Sequence, residues 1–242
     1  MRFFVGLHQP NDAKNFKSAF ISIHRIKDRK SNFKVNDWIM DSGAFSTILK
    51  YGGYPDPVEK YAQQIKRWST CGNLLAAVAQ DYMCEKHMLD ITGKTIEEHQ
   101  HLTIQRYKEL ISYDVGGVKI IPVLQGYKPQ DYVNHIEQYG DLLKHGMWVG
   151  VGSVCKRNGN VNAIQEVLLA INQKRPDLKL HGFGLKTTAL ADGLIRELLT
   201  TADSMAWSYS ARAAKRNGND WREAKAWEQN IVNQSFQKVL FI

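Results

Sequence analysis

Cysteine is scarce. Cys71, Cys84 and Cys155 stand far apart, odd in number and without a CxxC spacing. That excludes a disulfide framework and offers no obvious structural zinc site. Long hydrophobic runs are missing as well: none approaches the ~20 residues that a bilayer-crossing helix needs. The opening Met1-Arg2-Phe3-Phe4-Val5-Gly6 is too short for a signal peptide and reads as a first strand. No internal repeat, low-complexity stretch or linker interrupts the chain. A cytoplasmic protein with no membrane partner is expected, folded as a single domain over residues 1–242, with a basic helical tail over about 211–242.

What is present suits a soluble globular enzyme: 43% hydrophobic and 23% charged residues in a 242-residue chain, a common size for parallel α/β barrels. The formal charge of +8 suits a polyanionic partner. Cations gather at Lys27, Arg29, Lys30 and Lys34, and again at Lys156-Arg157. The densest group is Arg212, Lys215, Arg216, Arg222 and Lys225. A solvated helix face would look the same, but such density leans toward phosphate contact.

Short apolar runs punctuate the chain at residues 3–7, 19–23, 38–40, 74–79, 118–124, 147–153, 178–184 and 203–207. Between them lie helical patterns. Val58, Tyr61, Ala62, Ile65 and Trp68 recur at helical spacing, and helices are also expected at 95–112, 131–143, 163–171 and 189–199. The first two gaps carry little helical signal. Eight strand-like runs alternating with helices describe a (β/α)8 TIM barrel better than a doubly wound sheet.

Such a barrel works at the C-terminal ends of its strands. Those ends read Asp41, Asp81, Gln125, Gly152-Ser153, the His181–Gly184 turn and Asp203. Each alone could be a cap or a turn residue. Three acids on one rim are harder to explain so, because like charges placed together destabilise a fold. The set suits a purine. Asp81 can accept paired N–H bonds from a guanidine-like edge, while Gln125 and backbone N–H groups near Gly152 and Ser153 can donate to a carbonyl. Phe45 offers a stacking face. Asp41 and Asp203 then supply the nucleophile and acid/base that exchange at a glycosidic carbon requires. His8, His24 and His181 share no metal-ligand spacing, and nothing marks Cys84 or Cys155 as a nucleophilic thiol.

Met40-Asp41-Ser42-Gly43-Ala44-Phe45 resembles the DSGGF motif of the tRNA-guanine transglycosylases, with Ala44 for the second glycine. Gln80-Asp81 resembles their base-binding Asp segment, Val123-Leu124-Gln125-Gly126 their VQGG, and Val149–Ser153 their glycine-rich base clamp. His181-Gly182-Phe183-Gly184 is similar to their HxxG turn, and Asp203–Arg212 to the run that opens on the nucleophile in archaeal members. The motifs fall in family order across residues 38–212. The bacterial register would put Ala206 at the nucleophile's position, which alanine cannot fill, so the archaeal-like register with Asp203 is adopted.

The resemblance implies exchange of guanine for a 7-deazaguanine within a nucleic acid, through a covalent Asp203–sugar intermediate, with Asp41 handling the proton of the incoming base. It assigns Phe45, Asp81, Gln125, Gly152 and Ser153 to holding the base, with Ser42, Gly43 and His181 beside them. The tRNA enzymes carry a CxCxxC…H zinc site that has no counterpart here, and archaeal members add RNA-binding domains. A compact, basic, zinc-less relative looks most like the DNA-guanine transglycosylase (DpdA) branch of bacteria and phages, which would place it in a host cytoplasm if phage-encoded. The partners implied are DNA and a free base such as 7-cyano-7-deazaguanine. No metal or other cofactor is expected, and a monomer or weak dimer is. Lys156, Arg157, Arg212, Lys215 and Arg216 are the expected phosphate contacts. The same exchange on tRNA is the nearest alternative, and a phosphate-binding barrel lyase acting on a small metabolite is another.

Overall fold

The computed structural model describes residues 1–157 and 160–237, so the last five residues of the expected tail lie outside it. Its strands are β1 (Arg2–Gly6), β2 (Ser18–Ser22), β3 (Asp37–Asp41), β4 (Asn73–Val78), β5 (Lys119–Ile121), β6 (Val123–Leu124), β7 (Trp148–Val151), β8 (Lys179–Gly182) and β9 (Leu199–Ser204). All pair in parallel, in the order β5-β4-β3-β2-β1-β9-β8-β7-β6. The two ends of that order are one stretch of chain. Pro122 has no N–H for the ladder and splits the fifth stave into β5, which pairs with β4, and β6, which pairs with β7. The Pro122 carbonyl still accepts the Gly150 N–H at 2.8 Å, so the nine segments make an eight-stave barrel.

Period-two alternation sorts the strand residues into two cores. Phe4, Phe20, Ile39, Val78, Ile121 and Val123 fill the barrel. Val5, Ile21, Trp38, Met40, Ala77 and Val149 face outward into the layer of helices. The same parity carries Asp41 inward with Ile39, Gln125 with Val123, and Asp203 with Thr201. Apolar layers thus close the lower barrel, and polar ends crown it.

The helices are α1 (Ala44–Tyr51), α2 (Val58–Trp68), α3 (Lys86–Thr92), α4 (Ile96–Leu110), α5 (Pro129–Tyr139), α6 (Val161–Lys174), α7 (Thr187–Leu190), α8 (Gly193–Leu198), α9 (Ala206–Ala213) and α10 (Trp221–Gln237). In α2 the five residues at helical spacing are all buried. Thr95 and Glu98 form a reciprocal capping box that starts α4. The two weakly patterned gaps hold only 3-10 turns, Pro10–Asn15 and Ile23–Arg25.

Three expectations need correction. The eighth run is not a strand over 203–207: β9 ends at Ser204, and Trp207 belongs to α9, where its indole N–H reaches the Gly6 carbonyl at 2.8 Å. Residues 189–199 do not form one helix, because Asp192 breaks the chain and caps α8 by accepting the Ile195 N–H at 3.0 Å. Finally, α1 and α3 stand in segments where no helix is expected. No helix among the described residues is long and apolar enough to cross a membrane.

Candidate active site

A cavity of about 630 Å³ opens at the C-terminal ends of the strands. Asp41, Phe45, Asp81, Gln125, Gly152, Ser153 and Asp203 all line it. Phe20 and Phe183 line it as well, beside Asp203, and Phe45 stands at the rim, 41% exposed.

Asp41 ends β3. Burial pushes its carboxyl up to about 6, the charge of Asp203 adds to the rise, and hydrogen bonds from Ser22 and the Ser42 and Gly43 backbones oppose it. Asp203, on β9, is buried and accepts hydrogen bonds at one oxygen. Oδ1 takes the Gly184 N–H at 3.1 Å and lies 3.2 Å from His181 Nε2.

A hydrogen-bonded wall lines the same cavity. Gln125 Nε2 donates to Asp81 Oδ2, and Ser153 Oγ lies 2.7 Å from Gln125 Oε1 and 3.0 Å from Glu85 Oε2. Ser153 Oγ also accepts the Cys84 N–H at 3.0 Å. Burial drives the Asp81 carboxyl up to about 7 against the pull of Gln125, with Asp41 and Glu85 adding to the rise. Ser153 has φ +56°, a left-handed conformation uncommon for a residue with a side chain, which the bonds around its hydroxyl sustain. Gly152 makes room for this wall: a Cβ there would stand 2.1 Å from the Gln125 amide. Its own N–H already serves the Leu124 carbonyl at 2.9 Å and its carbonyl accepts the Tyr132 hydroxyl at 2.8 Å. Gly152 therefore shapes the wall, and its N–H is not offered to a ligand as the sequence suggested.

Three residues of the expected base-binding set lie elsewhere. Ser42 faces an adjoining cavity with Tyr54, Tyr61 and Gln80, because it falls on the opposite parity from Asp41. Gly43 turns the chain into α1 at φ +71°, and a Cβ there would lie 2.4 Å from the His24 ring. His181 is fully buried among Phe4, Phe20, Trp148 and Phe183, behind Asp203. It can position that carboxylate but cannot touch a base in the cavity.

The cations differ most from expectation. Arg25, Lys27 and Lys50 line the cavity. Arg212 acts near its edge, where its charge joins burial and Arg25 in lowering His8. Arg216 pairs with Glu223 at 2.7 Å, and Lys215 sits in the turn after α9; neither lines the cavity. Arg157 stacks 4.8 Å over the Tyr127 ring and donates to the Tyr127 and Ser153 carbonyls, so it braces the Ser153 loop. The Lys156 side chain lies outside what is described. Sequence reasoning passed over Lys50 because it is a single cation in a short helix, and over Arg25 although it stands two residues before the Lys27 group. It passed over Glu85 because nothing local marks a residue four positions past Asp81 as part of the same wall. Among the described residues no group of three His, Cys, Asp or Glu side chains could hold a metal ion.

A nucleophile-sized carboxylate, a second acid able to hold a proton near neutrality, and a wall of amide, hydroxyl and carboxyl groups can together bind a flat heterocycle and cleave a bond beside it. No curated protein matches the chain. The family model described as "DpdA: DeoxyPurine in DNA protein A" matches residues 1–226 and so takes in every strand of the barrel and every side chain of the cavity wall. The chain belongs to the DpdA family.

Proposed function

We propose that the protein exchanges guanine in DNA for a 7-deazaguanine by double displacement at the deoxyribose anomeric carbon. The observation that carries this reading is the sharing of one cavity by Asp41, Asp203 and a wall whose donors and acceptors complement guanine. Family membership supports a deoxypurine in DNA as the object of the chemistry.

In this reading Asp203 attacks C1′ through Oδ2 while Oδ1 stays held by His181 and Gly184. The C1′–N9 bond breaks, its electron pair goes to the base, and Asp41 in its protonated form gives the departing guanine a proton. Guanine leaves and the 7-deazaguanine takes its place. Asp41, now a carboxylate, removes the N9 proton; N9 attacks C1′ and the bond to Asp203 breaks. Two inversions give retained configuration. Asp81 accepts the N1–H and N2–H bonds, the Gln125 amide donates to O6, and Phe45 covers the ring.

A stacked, paired guanine hides its C1′, so the nucleotide must leave the helix, at a cost of a few kcal/mol in a duplex. Arg25, Lys27 and Lys50 around the opening offset that cost through phosphate contacts. Mass spectrometry of nucleosides from DNA incubated with enzyme and free 7-deazaguanine tests the proposal. The 7-deazaguanine deoxynucleoside is expected in the digest; its appearance only in a parallel tRNA reaction would show the polymer to be wrong.

A further inference from the structure

Glu85 has no part in the steps above, yet its placement is unusual. It occupies the N-cap position of α3, where Ser, Thr, Asp or Asn normally turn back onto the helix. Its side chain makes no capping bond and lies instead on the cavity wall, with the residue 4% exposed. No cation pairs with it among the described residues. Neighbouring Lys86 pairs with Asp90 at 2.9 Å, and Arg157 is engaged with backbone carbonyls. The partners Glu85 does have are poor. Ser153 Oγ has one proton to divide between Gln125 Oε1 and Glu85 Oε2, and the Cys155 thiol lies 3.9 Å from Oε1. A buried carboxylate with up to four acceptor sites and so few donors is costly unless a ligand completes it.

The order of groups along the wall says which part of a ligand that would be. Hydrogen bonds link Asp81 to Gln125, Gln125 to Ser153, and Ser153 to Glu85. Around the edge of a 7-deazaguanine the groups run N2–H and N1–H, then O6, then the substituent on C7. Laid against each other, Asp81 meets the N–H pair, the Gln125 amide meets O6, and Glu85, next along the wall beyond Ser153, meets the substituent. Guanine itself has no substituent there and leaves Glu85 unserved.

We infer that Glu85 selects an incoming 7-deazaguanine whose C7 substituent is cationic, an aminomethyl group rather than the neutral nitrile of 7-cyano-7-deazaguanine. The inference rests on the base-exchange reading of the cavity. An ammonium gives Glu85 charge-assisted hydrogen bonds, whereas a nitrile offers only an acceptor to an acceptor.

Calorimetric titration of the full chain with the two free bases needs no turnover and tests the inference directly. The aminomethyl base is expected to bind on the order of tenfold more tightly than the cyano base. Glu85→Gln, whose folding is checked by its thermal melt, should collapse that ratio toward one while keeping the hydrogen bond to Ser153. A wild-type ratio at or below one, or a ratio unmoved in a folded Glu85→Gln, overturns the assignment. Exchange of labelled guanine into DNA by the wild type is measured in parallel. If exchange proceeds without the binding preference, only the role of Glu85 falls; if exchange is absent, the base-exchange reading falls on its own evidence.

Discussion

His181 Nε2 lies 3.2 Å from Asp203 Oδ1, and that contact fixes which ring atom carries the proton. The Trp148 indole N–H, which can only donate, reaches Thr201 Oγ1 at 2.8 Å, and that hydroxyl lies 2.8 Å from His181 Nδ1. An ionised carboxylate can only accept, so Nε2 donates to Asp203, and Nδ1 accepts the hydroxyl of Thr201, which in turn accepts from tryptophan. The relay holds Asp203 by one oxygen. Thr201→Val keeps the shape but takes away the hydroxyl that holds Nδ1. It should lower kcat for exchange roughly ten- to a hundredfold, as lost supporting bonds do elsewhere. KM for the free base should stay constant, a split that steady-state kinetics reads and that a merely structural loss would not give.

Asp203→Ala removes the proposed nucleophile together with its bonds to His181 and Gly184. Exchange should fall by about a thousandfold or more. The covalent enzyme–DNA species expected in denaturing gels of the wild type should vanish, while the thermal melt persists. Labelled base still entering DNA at the wild-type rate would remove Asp203 from the chemistry.

The raised carboxyls carry a pH signature with a definite sign. Asp41 and Asp81 sit at about 6 and about 7 in the folded chain against 3.8 unfolded, so between those limits the folded state holds more protons. Their contribution to stability is complete below about pH 4 and is lost as pH rises through 6 to 7, a total on the order of a few kcal/mol. Thermal stability should therefore decline from pH 5 to pH 8, and Asp81→Asn should flatten the decline. Base binding runs the other way. Asp81 must be a carboxylate to accept N1–H and N2–H, so guanine affinity should drop by up to about tenfold per unit below about pH 7.

Lys50 lines the cavity near exposed Phe45, and Lys27 and Arg25 share the opening. If each meets a phosphate, the salt slope of DNA binding should fall by about 0.7 to 0.9 for each one replaced by alanine. Lys215→Ala should leave the slope unchanged. Fluorescence anisotropy across a salt series measures both.

Gly152→Ala probes the wall itself. The added methyl would meet the Gln125 amide at 2.1 Å, with a packed barrel behind it. Base affinity should fall at least tenfold by calorimetry, an effect of the displaced amide rather than of any lost contact to glycine.

How much of this was legible beforehand follows from what is local. The apolar runs around Phe4, Ile39, Val123 and Val149 marked staves because burial on both faces of a strand demands continuous apolar sequence. Asp41, Asp81 and Gln125 stood out because each breaks such a run at its end, and Asp203 because it opens the last run. The break at Pro122 was also there to read, since proline has no N–H to donate to a ladder. Ser42 was misplaced because adjacency in sequence suggested a shared site, whereas the pleat sends neighbours to opposite faces.

The sequence by itself determined the barrel, its parity and the identity of its rim acids, because alternation and run length are properties of a few consecutive residues. Only the tertiary structure decided that His181 lies behind Asp203, that Arg25, Lys27 and Lys50 surround the opening, and that Glu85 extends the wall begun by Asp81. Those relationships join residues from different staves and loops. Closing the barrel sets the distances between them, and no local pattern encodes that closure.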